Sequence, residues 1–394
     1  MTSTSAPTDT QASTTRRIAS LDVARGIAIL GTFGTNVWIF TEPRGMVGYL
    51  KTVGGESLPI RVLQTLAQGK FLGLLSLMFG VGLAIQQASA VRHAAADDRA
   101  RSLRSRRPWP GRYWRRALVL FLDGLLHFLL VAEFDVLMGY ALVSFLVSAL
   151  LILRPVARTR WVIGAVAVHL SVVALAVLAM MLSGDGAASQ RSTSNPYADG
   201  SFLDLVLFRI DHALLFRAEM IFMIPLTIAM FLTGARLFQA GIFGPDGAGL
   251  RRRLMTIGAV AAVVDLAVGV VGAPLGLSGP AVFVGRYAIA PLVALGVLAL
   301  IAEFYQRRAV GRVGGALRNV GRTALSCYVL QNLVASALCY GWGLGLAARY
   351  GAEHRLVFTL AVYVAVMGFL LAASALWTRR FSRGPIEMLM HRAA

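Results

Sequence analysis

The chain has 394 residues, 57 % of them hydrophobic and only 14 % charged. A soluble domain is nearer half apolar and a quarter charged, so the apolar excess must face lipid rather than water. A formal net charge of +19 would suggest nucleic acid in a soluble protein. In this chain the positive charge sits in short segments between apolar blocks, which excludes a nucleic-acid partner and fits the positive-inside pattern of membrane proteins.

Residues 1–17 are polar and rich in Ser and Thr, so they are expected to be disordered cytoplasmic sequence. The apolar stretch that follows is too long for a cleavable leader and carries Asp22 and Arg25. From residue 18 to 394 the pattern reads as one all-α integral membrane domain. Its spans are expected at 19–40, 63–87, 114–132, 135–153, 161–182, 219–240, 254–274, 281–305, 322–345 and 355–377. Placing the N-terminus in the cytoplasm puts 27 Lys and Arg on the inner side and 8 on the outer side. That asymmetry predicts a ten-helix, N-in/C-in bundle in the lipid bilayer. With only Lys51 and Lys70 as lysines among many arginines, the composition suggests a GC-rich bacterium and hence its cytoplasmic membrane.

The arginine-dense segment 88–113 reads as topology signal and contact for anionic headgroups, or as a dock for the phosphates of an anionic ligand. Within 183–218, FLDLVLFRIDHALLF has the pattern of an interfacial amphipathic helix. Gly69, Gly73, Gly80 and Ala84 predict close helix packing in the second span, and Gly341 and Gly345 a GxxxG in the ninth. Cys327 and Cys339 fall in one predicted helix, about 18 Å apart, too far to bridge.

Ionisable groups inside a bilayer are costly, so each is a candidate site. Asp22, Arg25 and Asn36 share one side of the first span, with Arg25 and Asn36 roughly 16 Å apart along the axis. Asp123 and His127 lie one helical turn apart in the third span; a carboxylate beside an imidazole suits a general base, and equally a hydrogen-bonded pair that ties helices together. Asp135, in the turn that follows, is placed to cap the fourth helix. Glu219 opens the sixth span, and Gln331 and Asn332 add polarity to the ninth. Asp265 and Arg286, of opposite sign on neighbouring antiparallel spans, are expected to pair. The sequence contains no GxxxxGK[ST] loop, HExxH, Cys/His cluster or GxSxG elbow, so neither nucleotide hydrolysis nor a metal is expected.

Five motifs occur in the order seen in the YeiB-like family, domain of unknown function 418 (DUF418). They are RIASLDVARGIAILGTFGTN at 17–36, KFLGLLSLMFGVG at 70–82, RRALVLFLDGLLHFLLVAEFDVLMGYAL at 115–142, GRTALSCYVLQN at 321–332 and GPIEMLMHR at 384–392. The opening LDxxRGxAIL also resembles the first helix of the transmembrane acyltransferases, which include the heparan-α-glucosaminide N-acetyltransferase group and sugar O-acyltransferases. That resemblance implies a cytoplasmic acyl-CoA, such as acetyl-CoA, donating to an acceptor at the far side of the membrane, with Asp22 and Arg25 matching the motif's Asp and Arg. The O-acyltransferases carry a catalytic histidine where this chain has Asn36. The N-acetyltransferase group places Asn there and uses a histidine in the next external segment, but none lies between Asn36 and His93. His127, supported by Asp123, is then the remaining base, Arg25 and Asp22 the donor-binding residues, and Asn36, Asp135, Asp265 and Arg286 the polar network.

Two other readings stand beside acyl transfer to a cell-envelope or small-molecule acceptor. One is a proton-coupled transporter or exporter relaying through Asp123, His127, Asp265 and Arg286. The other is a non-enzymatic partner of envelope biosynthesis whose buried charges serve packing. A homo-oligomer is compatible with all three.

Overall fold

The computed structural model describes residues 9–99, 109–183 and 195–392, and among these every regular element is helical. The first helix, α1 (Asp9–Phe40), starts well before the apolar span. Residues 9–17, whose composition suggested disorder, continue it, whereas residues 1–8 lie outside the described residues. Next come α2 (Gly45–Thr52), α3 (Leu58–Ala67), α4 (Lys70–Arg99), α5 (Gly111–Leu130), α6 (Leu137–Leu150) and α7 (Pro155–Ser183). The short α8 (Pro196–Asp199), α9 (Phe202–Asp211) and α10 (Ala213–Arg217) lead into α11 (Met220–Gln239) and α12 (Ala248–Val271). The chain continues with α13 (Ser278–Val284), α14 (Ala290–Arg307), α15 (Arg312–Arg322), α16 (Ala324–Cys339), α17 (Leu346–Tyr350), α18 (Arg355–Thr378) and α19 (Pro385–Arg392).

Among the described residues seven stretches are long and apolar enough to cross a membrane: Ala19–Phe40, Leu58–Arg92, Pro155–Leu182, Ala213–Gln239, Pro245–Val271, Ser278–Arg307 and Arg355–Thr378. The chain is thus a polytopic helical bundle of membrane type. The three other expected spans are also helices, but different ones in kind. α5 carries Arg115, Arg116 and Asp123, α6 has 14 residues and α16 has 16. At 1.5 Å per residue α6 and α16 reach about 21 and 24 Å, short of a ~30 Å hydrocarbon core. These three helices carry the polar side chains of the site described below, and they bury them against protein instead of lipid.

The centre of the bundle is α1, 78 % buried over its apolar window, while α7, α12 and α18 are 17, 22 and 28 % buried and form the lipid-facing rim. Backbone contact holds α1 to α15. A Cβ on Gly26 would lie 2.0 Å from Leu317 O, and one on Gly321 would lie 1.7 Å from Asp22 O. Any larger residue at either position must push the two helices apart. The expected packing of α4 through small residues is seen at Gly80, where a Cβ would meet Phe231 O of α11 at 2.0 Å.

The GxxxG at 341–345 is not helical: α16 ends at Cys339, and Gly341 N donates to Tyr197 O at 2.8 Å. Tyr340, Gly341 and Gly345 form a turn that holds the α8 segment instead of a helix interface. The amphipathic helix expected within 183–218 is α9, opened by a capping box between Ser201 and Asp204. Leu203, Leu207 and Ile210 point outward from it, and Arg209 points in and is 1 % exposed. Cys327 and Cys339 are free and buried.

Candidate active site

His127, on the last turns of α5, is 2 % exposed. Its carboxylate partner is Asp135, with Oδ1 3.2 Å from Nδ1. The pairing expected with Asp123 is therefore corrected. The tight turn after α5 folds Asp135 back onto the imidazole, while Asp123 one turn earlier keeps a buried Oδ2 without a hydrogen bond. Asp135 also caps α6, since its Oδ2 accepts from Met138 N at 3.0 Å. One carboxylate thus fixes both the ring and the start of the next helix.

On the other side of the ring, Asn332 Nδ2 donates to His127 Nε2 at 3.1 Å, and Asn36 Nδ2 donates to Asn332 Oδ1 at 3.2 Å. A neutral imidazole has one N–H and one lone pair. The network assigns the proton to Nδ1, facing Asp135, and the lone pair to Nε2. A line of side chains from α6, α5, α16 and α1 results: Asp135, His127, Asn332, Asn36. Asn36, at the place of the O-acyltransferase histidine, is joined to the imidazole through one amide. Tyr328 of α16 completes the site, its ring centroid 5.1 Å from that of His127.

The C-terminal end of α5 is covered by α8 and α9. Tyr197 OH donates to Glu133 Oε1 at 2.8 Å, and Arg209 Nη1 and Nη2 donate to Leu129 O and Val131 O, each at 3.1 Å. Burial, with the Glu133 carboxylate beside it, pushes the Tyr197 phenol well above the usual tyrosine range, so it remains a donor. Arg217 of α10 donates to Asp135 O at 3.2 Å, with its guanidinium 4.0 Å from the Phe128 ring centre.

Towards the arginine-rich end lies a cavity of about 820 Å³. Its rim carries Arg25, Arg116, Arg318, Arg322 and Arg383, with Asp22 and Glu387 among them. Asp22 Oδ1 lies 3.3 Å from Arg25 Nη1, and Arg318 Nε lies 4.0 Å from Asp22 Oδ2. Deeper, Ile29, Leu75, Met78 and Leu120 line the cavity, and its inner end reaches Leu137 and Tyr328, beside His127. The polar stripe expected on α1 therefore runs from the cavity rim at Arg25 to the imidazole network at Asn36.

The expected Asp265–Arg286 pair is also corrected. Asp265 bonds Lys70, whose ammonium additionally donates to Gln68 O at 3.3 Å. Arg286 bonds Glu219 at 2.5 Å, and Tyr287 OH donates to the same oxygen at 2.6 Å. The reason lies in the helix breaks: α3 and α4 part at Gly69 (φ +76°), exposing carbonyls for Lys70, and Arg286 sits in a π-helical segment, Gly285–Ile289, that turns it towards α11. Neither pair lines the cavity.

Several residues were not singled out from sequence for a role. Arg322, Tyr328 and Asn332 lie within GRTALSCYVLQN, and Glu387 within GPIEMLMHR. Glu387 accepts from Leu325 N and from Ser326 Oγ, each at 2.6 Å, capping the helix that carries Tyr328 and Asn332. Much of the arginine-dense segment 88–113 lies outside the described residues, although Arg116 just beyond it reaches the rim and bonds Gln86. Among the described residues no group of three or more His, Cys, Asp or Glu is arranged to hold a metal ion.

A buried imidazole network at the end of a cationic cavity, inside a polytopic helical bundle, defines the class of protein. The family is given by comparison: the profile described as "Protein of unknown function (DUF418)" matches residues 237–394. Over these residues the chain is similar to the DUF418 family. Its likeness to YeiB-like relatives extends well beyond them. It is 27 % identical to "Uncharacterized protein YxaH" of Bacillus subtilis (strain 168), covering 96 % of this chain and 94 % of the relative. It is also 27 % identical to "Uncharacterized protein YeiB" of Escherichia coli (strain K12), covering 95 % of each. No solved structure matches the chain.

Proposed function

We propose that the protein is a transmembrane acyltransferase of the bacterial cytoplasmic membrane, taking an acyl group from a cytoplasmic acyl-CoA to an acceptor reached from the other face. One observation carries this reading: a single cavity of about 820 Å³ is lined by five arginines and also by Tyr328, whose ring centroid lies 5.1 Å from that of His127. Arginine offers planar, bidentate donors suited to the several phosphates of a CoA. The apolar inner part, with Ile29, Leu75 and Leu120, suits an acyl chain and excludes water from the thioester. The likeness of LDVARGIAIL to the acyltransferase first helix points the same way, with Arg25 at the rim.

In this reading the proton of the acceptor hydroxyl or amine is taken at His127 Nε2 as its oxygen or nitrogen attacks the thioester carbon. The thiolate leaves as the C–S bond breaks, and Nε2 returns the proton to it. Asp135 holds the ring and stabilises the imidazolium formed meanwhile. Asn332 occupies the Nε2 lone pair, so acceptor binding has to turn that amide aside. Native mass spectrometry of the purified protein with acetyl-CoA and longer acyl-CoAs tests the donor. Retention that is lost at high salt is expected, and retention of no acyl-CoA would overturn the reading.

A small-molecule transporter is the second reading. It is favoured by the interrupted helices around Lys70–Asp265 and Glu219–Arg286, a pattern of transporter binding sites. Both pairs are mutually neutralised, which weighs against it.

A further inference from the structure

Two cavities adjoin the His127 network, the large one at Tyr328 and a smaller one at Asp135. Across the first turns of α6 from the large cavity lies a small crevice of about 20 Å³, walled by Asp135, Gly139 and Tyr140 on one side and by Arg217, Glu219 and Thr227 on the other. That volume has room for about one water-sized group. The mouth lies beside α10 and the start of α11, where Leu214, Leu215 and Ile221 are 92, 61 and 61 % exposed. Apolar side chains exposed to that extent suit lipid, and the helices that carry them, α10 and α11, wall the crevice with Phe216, Met220 and Met223.

Two features indicate what fills it. Arg217 Nε is buried without a hydrogen bond, and buried Asp135 Oδ1, which faces His127 Nδ1 at 3.2 Å, can accept a second one. One is a donor and the other an acceptor, and a buried donor left without a partner costs about 1–3 kcal/mol. A single hydroxyl satisfies both, donating to the carboxylate and accepting from the guanidinium. An ammonium can only donate, and a carbonyl or phosphate oxygen can only accept. The second feature is Gly139, which is buried in the middle of a turn of α6. A Cβ there would meet nothing within 4 Å. No packing demand explains a residue that costs a helix about 1 kcal/mol relative to alanine; its effect is to leave this space open.

We infer that the crevice is a subsite for the hydroxyl of a membrane-resident alcohol, held between Asp135 and Arg217 with its apolar tail in the lipid. The inference rests on the acyl-transfer reading for its role, in which an alcohol held here on the Nδ1 side of His127 would pass to Nε2 to act as the acceptor, but not for the binding itself.

Photolabelling tests it with a diazirine-bearing decanol and the matching decyl methyl ether, which lacks the O–H. The alcohol is expected to label residues 134–140 and 216–227, and the ether about tenfold less, the worth of the one hydrogen bond it cannot donate. Gly139→Leu should remove the labelling. Gly139→Ala should fold with an equal or higher melting temperature while labelling falls. Equal labelling by alcohol and ether, undiminished labelling in the Gly139 variants, or no labelling in these segments (a crevice that holds water only) each overturns the proposal. Acyl-CoA retention measured on the same samples separates the two ideas. Labelling without retained acyl-CoA sinks acyl transfer and leaves the subsite standing, and retention without labelling does the reverse.

Discussion

Asn332 donates its amide hydrogen to Nε2 of His127 across 3.1 Å, linking α16 to α5 through a pair of buried side chains more than 200 positions apart in the chain. The bond leaves Nε2 as the unprotonated nitrogen of the ring, available as a base once the amide turns aside. It also places that nitrogen next to Tyr328, at the inner end of the cavity.

From this arrangement, His127→Gln should lower acyl-CoA turnover by about 10²- to 10⁴-fold, the usual contribution of a positioned base. Membrane insertion and yield should stay near wild type, because glutamine keeps size and polarity. Asp135→Asn should act through the ring's tautomer and cost a similar factor, on the order of 10⁴ where this has been seen in triads. Asp123→Asn, which leaves the Asp135 contact intact, should cost much less. Turnover in detergent with acetyl-CoA compares the three, and normal turnover in His127→Gln would remove the proposed base.

Arg25→Ala should weaken donor retention by about tenfold, since a charge-assisted hydrogen bond contributes ~1.5–3 kcal/mol. The turnover of donor already bound should change little. Titration calorimetry with acetyl-CoA reads the first effect and single-turnover kinetics the second. Undiminished affinity would mean that this arginine does not face the phosphates.

Removing one partner of the Lys70–Asp265 pair strands a charge in the bundle, at a cost of about 3–5 kcal/mol. Asp265→Asn and Lys70→Met should therefore each reduce the melting temperature and folded yield. The double variant Lys70→Met, Asp265→Leu should recover much of that loss. Exchanging the charges of Asp265 and Arg286 should rescue nothing, because each has a different partner.

The sequence predicted a polytopic helical bundle because apolar blocks of about twenty residues have few other outcomes. It also placed Arg25 and Asn36 on one side of α1, since helical periodicity is a local property. Partnership between helices was less legible. Asp123 looked like the companion of His127 at i, i+4, yet Asp135 reaches the ring through a turn whose path depends on α6 packing. Asp265 looked like the companion of Arg286 by sign and neighbourhood, yet a break at Gly69 and a π-helical segment rotate both towards other groups. The cavity rim was hidden for another reason: Arg318, Arg322 and Arg383 read as topology charges, and only their convergence in space distinguishes them.

Orientation has its own test. A reporter active only in the cytoplasm should signal when fused after Arg104 or Ala394, and stay silent when inserted near Asn195. Signal at Asn195 would reverse the inside of the bundle and put the arginine rim on the outer face.

The contact of α1 with α15 through Gly26 and Gly321 brings Arg25, Arg318 and Arg322 to one rim, with Asp22 as the nearest counter-charge. Because backbone meets backbone there, the cations can move apart by changing rotamers but not by parting the helices. Their mutual repulsion is a standing load on the helix pair, relieved by whatever anion enters. Occupancy and rigidity are then thermodynamically linked: an anion at a hundred times its Kd adds about 2.7 kcal/mol to stability. Simple salt gives part of the same relief by screening, although it competes for the site. If an anion does bind there, the protein's resistance to heat would gauge whether its cationic mouth is filled.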